Sequence, residues 1–175
     1  MNIVFDTDIL SCIAKIKGFD FIKEVFPKSE YIVPGRVYEE ILKAKKYGYD
    51  FSAYIIDLID ESVLSIPNLT AEEGQKIRDL EFTNLHFGEI EAMVLSMRQN
   101  SILLSNDYVV KKKAKEFGID IFNLEDILAY SIEIGAISES RELIGMIREI
   151  ESRDRIKIKN KEYLFNKIHE KNPEH

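Results

Sequence analysis

The chain has one cysteine and no long apolar run, and each shortage closes off a class of protein. A single thiol, Cys12 in "ILSCIAKI", can build neither an intrachain disulfide nor a zinc cage. Its apolar neighbours predict a buried core residue. No segment reaches the roughly 18 apolar residues of a membrane span, and the first residues read as a strand rather than a basic leader. A soluble, cytoplasmic protein with no membrane partner is the expectation. Positive charge is also scarce, since 24 Lys and Arg stand against 31 Asp and Glu for a net charge of -7. The surface as a whole does not attract polyanions, so any nucleic acid must be met by local basic patches or bound metal. Internal repeats and low-complexity tracts are missing too. At 175 residues and 45% hydrophobic content, one domain with one substantial core follows.

What the chain does have is alternation. Short runs rich in branched and aromatic residues at 2–5, 30–33, 63–66, 101–105 and 119–122 have the length of strands. Longer helical patterns lie at 9–26, 35–60, 71–83, 87–99 and 107–117, then at 124–135, 139–152 and 161–170. Parallel strands need crossovers, so this order predicts an α/β three-layer sandwich, a central parallel sheet of five strands flanked by helices. Pro34 suits a helix start, while Gly118 and Gly135 sit where helices end. Residues 1–137 read as the main domain. Residues 138–175 read as a C-terminal helical extension packed on it, with stripes of Leu143, Ile144, Ile147 and Ile150 and of Tyr163, Leu164 and Ile168. The chain end from Lys171 is expected to fray.

Ligands of open parallel sheets collect beyond the carboxyl ends of the strands, which gives polar residues there extra weight. Asp6 ends the first strand in "NIVFDTDIL", and Asp107 follows the fourth in "LLSNDY". Glu40 and Glu89 lie on helices, each beside a competing acid. At about 100° per residue, Glu40 shares an arc with Val37, Ile41 and Ala44 and leaves Glu39 outside. By the same construction Glu89 joins Ala92, Met93 and Ser96, and Glu91 falls on the polar side near Arg98. An acid on an apolar face needs a partner, either a cation from elsewhere in the fold or a metal. The plainer reading makes Asp6, Asp8 and Asp107 helix caps, and Glu40 and Glu89 solvated rim residues. Four acids in this order, in this topology, weigh against it.

These stretches resemble the PIN domain family of metal-dependent ribonucleases, found in prokaryotic toxin–antitoxin pairs and in RNA processing enzymes. The matching segments are "VFDTDIL", "VPGRVYEEI", "FGEIEAMVLS" and "SILLSNDYVVKKKAKEFGIDIF", and the tail "RIKIKNKEYLFNKI" looks like the C-terminal segment of one prokaryotic branch. The resemblance implies a five-stranded parallel sheet, a catalytic and metal-binding set of Asp6, Glu40, Glu89 and Asp107, and hydroxyls near the metal at Thr7 and Ser105. It also implies Mg²⁺ or Mn²⁺, because hard cations prefer carboxylate oxygens and neutralise acids that otherwise repel. Two departures stand out. Glu89 occupies a position often held by Asp, and Asn106 replaces the first of an often doubled acid.

The expected reaction is hydrolysis of RNA phosphodiester bonds by an endoribonuclease, the toxin of a pair in one version. An antitoxin filling the acidic cleft and a homodimer are what the family adds as partners. Arg36, Lys43, Lys111 and Lys112 are the candidate RNA contacts, in lysine runs that also read as solvated helix faces. Two rivals stand beside this reading. "FDTDIL" matches the Asp-x-Asp start of haloacid dehalogenase-like phosphatases, but Leu10 stands where Thr or Val is expected and "SNDYVVK" supplies the later motif poorly. The second rival is a PIN-like RNA-binding or regulatory module without turnover.

Overall fold

In a computed structural model, which describes residues 1–81, 84–154 and 156–171, five strands form one sheet. They are β1 (Asn2–Phe5), β2 (Glu30–Ile32), β3 (Leu64–Ser65), β4 (Ser101–Leu104) and β5 (Asp120–Phe122). Their order is β3-β2-β1-β4-β5, and every pairing is parallel. From β1 the chain moves outward through β2 to β3, then returns to the other side of β1 for β4 and β5. The order therefore reverses between β1 and β4, and the loops leaving these neighbours part to form a crevice at their carboxyl ends.

The helices are α1 (Thr7–Lys15), α2 (Phe19–Val25), α3 (Gly35–Lys46), α4 (Asp50–Asp60), α5 (Ala71–Leu80) and α6 (Phe87–Ser96). Then come α7 (Tyr108–Glu116), α8 (Leu124–Ile134), α9 (Ser140–Asp154) and α10 (Lys161–Lys171). Strand periodicity sorts them into layers. Ile3, Phe5, Tyr31 and Leu104 point to one face, into a core shared with α1, α2, α3, α4 and α8 to α10, while Val4, Ile32 and Leu103 point to the other, against α6 and α7. Both faces are covered, which is why the strands read as continuous apolar runs. Among the described residues no helix is long and apolar enough to cross a membrane.

Two expected helices break. The pattern over 9–26 divides into α1 and α2 where Lys17 takes a left-handed φ of 53°, and that over 35–60 divides into α3 and α4 at Gly48, with φ 81°. The helix expected over 71–83 ends at Leu80, and Lys171, expected to fray, closes α10 and donates to Ile132 O; residues 82–83 and 172–175 of these expectations lie outside the described residues. The extension joins the main core directly: Leu143, Ile147, Ile150, Leu164 and Ile168 are buried in the same cluster as Phe5 and Ile9, and Lys15 pairs with Asp154. Tyr163, expected on the inner stripe of α10, is 56% exposed. Its neighbours Leu164 and Ile168 fill the contact without it.

Candidate functional site

Beyond the carboxyl ends of β1 and β4 lies a pocket of about 330 Å³ lined by Asp6, Thr7, Asp8, Glu40, His86, Gly88, Glu89 and Asp107. All four sequence-predicted acids meet there, from four different elements. Asp6 and Asp107 arrive as helix caps, so the plainer reading is also true. Asp6 Oδ1 accepts from Thr7 N at 2.7 Å to open α1, and Asp107 Oδ1 accepts from Val109 N and Val110 N to open α7. Capping does not remove them from the pocket, which both residues line. Glu89 does the same at the start of α6, accepting from His86 N at 2.7 Å. Glu40 reaches across from α3, where Thr7 Oγ1 donates to it at 2.6 Å.

The two hydroxyls serve as braces. Ser105 Oγ donates to Asp6 Oδ2 at 2.7 Å and accepts from Asp107 N at 3.2 Å, so one buried side chain ties the end of β1 to the end of β4. Gly88 lets α6 pass close to α3, since a Cβ there would lie 3.2 Å from Glu40 Oε1.

Electrostatically the pocket is unbalanced: among the described residues five carboxylates and one histidine line it, with no Lys or Arg. Burial, with help from the nearby charges of Asp8 and Glu89, lifts the Asp6 carboxyl to about 6 against the lowering pull of its hydrogen bonds. Burial likewise raises Glu89, and Asp107 adds to the effect. Among the described residues, no three His, Cys, Asp or Glu side chains stand close enough together to hold an ion as they are. In kind, however, the donors fit a hard divalent cation, because they are anionic oxygens that no Lys or Arg of the described lining neutralises. Asp6, Glu40, Glu89 and Asp107 are the residues that would hold it.

One assignment is corrected. Glu91 is not on a polar side near Arg98 but 5% exposed, accepting from Gly35 N at 3.0 Å and Arg36 N at 2.7 Å at the start of α3. Arg98 pairs instead with Glu73 at 2.7 Å. The helical wheel fails because α6 has no polar side: it packs against β1, β4, α3 and α5, and every residue from Ile90 to Ser96 is buried. The unbroken apolar run "AMVL" after Glu91 is the signal that marks such a helix. Asp8 and His86 complete the lining, Asp8 from the first turn of α1 rather than as a cap.

The basic candidates sit differently from the acids. Arg36 pairs with Glu39 at 2.9 Å and lies over the exposed Phe87 ring, outside the acidic pocket. Lys111 is committed to Asp126 at 3.1 Å. Lys43 and Lys112 are exposed, each farther along its helix than the acid of that helix.

A PIN domain family model, DUF3368, matches residues 2–164. The chain belongs to the PIN domain family. PIN domains are in general nucleases that use divalent metal ions, and the match runs through α9 into α10. Among solved structures, a PilT N-terminus domain protein from the hyperthermophilic archaeon Sulfolobus solfataricus P2 is similar to this PIN domain. The likeness has 20% identity and a TM-score of 0.49, over 76% of this chain and 95% of that one. No curated protein matches.

Proposed function

We propose that this PIN domain protein is an Mg²⁺- or Mn²⁺-dependent endoribonuclease that hydrolyses RNA phosphodiester bonds. The observation that carries the proposal is the convergence of Asp6, Glu40, Glu89 and Asp107 on one pocket that no Lys or Arg lines among the described residues. A divalent ion bound there would supply charge neutralisation for the phosphodiester and activation of a water molecule. The protein's own part is preorganisation. Ser105 and the Thr7 amide hold Asp6, the Thr7 hydroxyl holds Glu40, and two amides of α7 hold Asp107, so each acid is fixed at the rim of the same pocket. Glu89 borders the same pocket from the start of α6, where it would hold the ion or one of its waters.

The test is incubation of the purified protein with a structured RNA pool and Mn²⁺, beside Asp6→Asn and Asp107→Asn. Cleavage by the parent and a loss of about 100-fold or more in each variant are expected. Activity confined to small phosphate monoesters would favour the phosphatase chemistry of the Asp-x-Asp motif. A parent that binds RNA and Mn²⁺ without cutting would point to a module without turnover.

A further inference from the structure

A second cavity, of about 390 Å³, adjoins the acidic pocket, and Asp8 lines both. One wall comes from the end of the sheet: Asn106 after β4, and Asn123 with Glu125 at the start of α8. The other comes from the C-terminal extension, through residues 156–159 between α9 and α10. That wall is fixed in place. Glu125 Oε1 accepts from Lys159 N at 2.7 Å and Asn160 N at 3.4 Å, its Oε2 accepts from Asn160 Nδ2, and Ile158 N donates to Glu151 at 3.1 Å. Ile158 is buried while Lys157 and Lys159 on either side of it are exposed.

The groove therefore differs in charge from the pocket it joins: Lys157 and Lys159 balance Asp8 and Glu125 in its lining, where the pocket is acidic. Lys157 and Lys159 form no salt bridge among the described residues. Asn106 spends its Oδ1 on Leu124 N at 3.0 Å, and its buried Nδ2 has no partner among the described residues. Buried polar groups are rarely left unmet, so an unmatched donor beside a cavity points to a ligand acceptor. Two ammonium groups and a free amide suit a phosphate.

We propose that this groove binds the nucleotide next to the scissile phosphodiester, with Lys157 and Lys159 on its phosphate and Asn106 donating to the same nucleotide. The proposal rests on the nuclease reading of the acidic pocket. A polynucleotide fits better than an acidic peptide because the groove opens into a pocket of carboxylates. A chain crossing Asp8 must carry a group that a divalent cation can hold there, and the phosphodiester is that group. The extension then acts as a substrate-positioning wall in addition to its place in the core.

The experiment compares the parent with Lys157→Ala/Lys159→Ala on two substrates in Mn²⁺: a short single-stranded oligoribonucleotide, and bis(4-nitrophenyl) phosphate, a diester with no neighbouring nucleotide. For the oligonucleotide we expect kcat/KM to fall about tenfold, mostly through KM, and the slope of log affinity against log salt to shrink by about 0.7, for one phosphate neutralised on a single strand. Hydrolysis of the small diester and the Mn²⁺ thermal shift stay unchanged, and Lys157→Arg/Lys159→Arg recovers most of the oligonucleotide rate. An equal loss on both substrates, or no loss on the oligonucleotide, overturns the proposal. If the parent hydrolyses neither substrate, the nuclease reading falls by itself, and anisotropy of the labelled oligonucleotide with Mn²⁺ decides the groove. A tenfold weaker Kd in the double alanine variant supports it, and an equal Kd overturns it. Unaltered RNA affinity with lost affinity for oligoglutamate would assign the groove to a protein partner and likewise overturn it.

Discussion

At the scale of single residues, the acids of the pocket were legible because each obeys a local rule, and Glu91 was missed because its rule is tertiary. Asp6 and Asp107 follow strands and open helices, a pattern visible in "FDTDIL" and "SNDYVV". Glu91 satisfies two amides from an element more than fifty residues away, which no helical wheel contains. Replacing this buried acceptor by Ala leaves both donors unmet, and about 2–4 kcal/mol of stability should be lost. Urea unfolding measures it, with exposed Glu39→Ala, expected within about 0.5 kcal/mol of the parent, as the control. Asp6 yields a prediction in pH. Its carboxyl titrates near 6 in the folded chain against an ordinary 3.8, so the folded state holds the extra proton between these values. The stability from this group is complete below 3.8 and is lost as pH rises through about 6. With EDTA present, Asp6→Asn should therefore stabilise the protein at pH 7.5 by about 1–2 kcal/mol. The linkage limit of roughly 3 kcal/mol is reduced by the weakened hydrogen bonds to Ser105 and Thr7. The gain should vanish or reverse at pH 4, and a stabilisation independent of pH would refute the linkage. For the parent, a thermal shift on adding Mn²⁺ should grow from pH 5 to pH 7.5, because the ion and the proton compete for the same carboxylate.

At the scale of elements, periodicity located all five strands to within about two residues, since apolar runs of strand length had no rival reading. It did not locate the breaks inside 9–26 and 35–60, because apolar spacing continues across both and only the backbone changes hand. The signals present were the glycines. Gly18 follows Lys17 at φ 53°, and Gly48 itself sits at φ 81°. A Cβ at Gly48 would meet nothing within 4 Å, so the effect of Gly48→Ala is conformational alone. A loss of about 1 kcal/mol is expected. Conversely, Lys17→Gly relieves a side chain held in the left-handed region and should stabilise by a few tenths to about 1 kcal/mol. Thermal unfolding of the pair tests the point, and shifts of the same sign would show that something other than backbone hand governs these breaks. The sheet order was beyond reach for a related reason. Alternation fixes parallel pairing and handedness, while the return from β3 past β1 to β4 depends on which faces fit together.

At the scale of the whole molecule, the question is whether the extension is an addition or a part. The sequence pattern separates residues 1–137 from a helical extension over 138–175. The core ignores that boundary. Leu143, Ile147, Ile150, Ile158, Leu164 and Ile168 are all at most 4% exposed and lie in one cluster with residues of β1, α1 and α8. Each such side chain contributes roughly 1.5–3 kcal/mol when fully buried, so six outweigh much or all of the 5–15 kcal/mol by which a domain of this kind is stable. Polar ties point the same way: α1 pairs Lys15 with Asp154, and Lys171 Nζ donates to Ile132 O at 2.7 Å at the end of α8, beside the left-handed Gly135 that the sequence placed as a cap. Burial of Cys12, whose thiol is pushed up to about 12, shows how dry the junction between α1 and α9 is. A chain ending at residue 137 should therefore give no cooperative thermal transition by circular dichroism, whether or not Mn²⁺ is present. The full chain should give one transition, with the unfolding of α9 and α10 coincident with that of the sheet. A truncated chain that melts cooperatively near the parent's temperature would show that the sheet carries its own core. The acidic pocket would then be free to work without the wall that the extension provides.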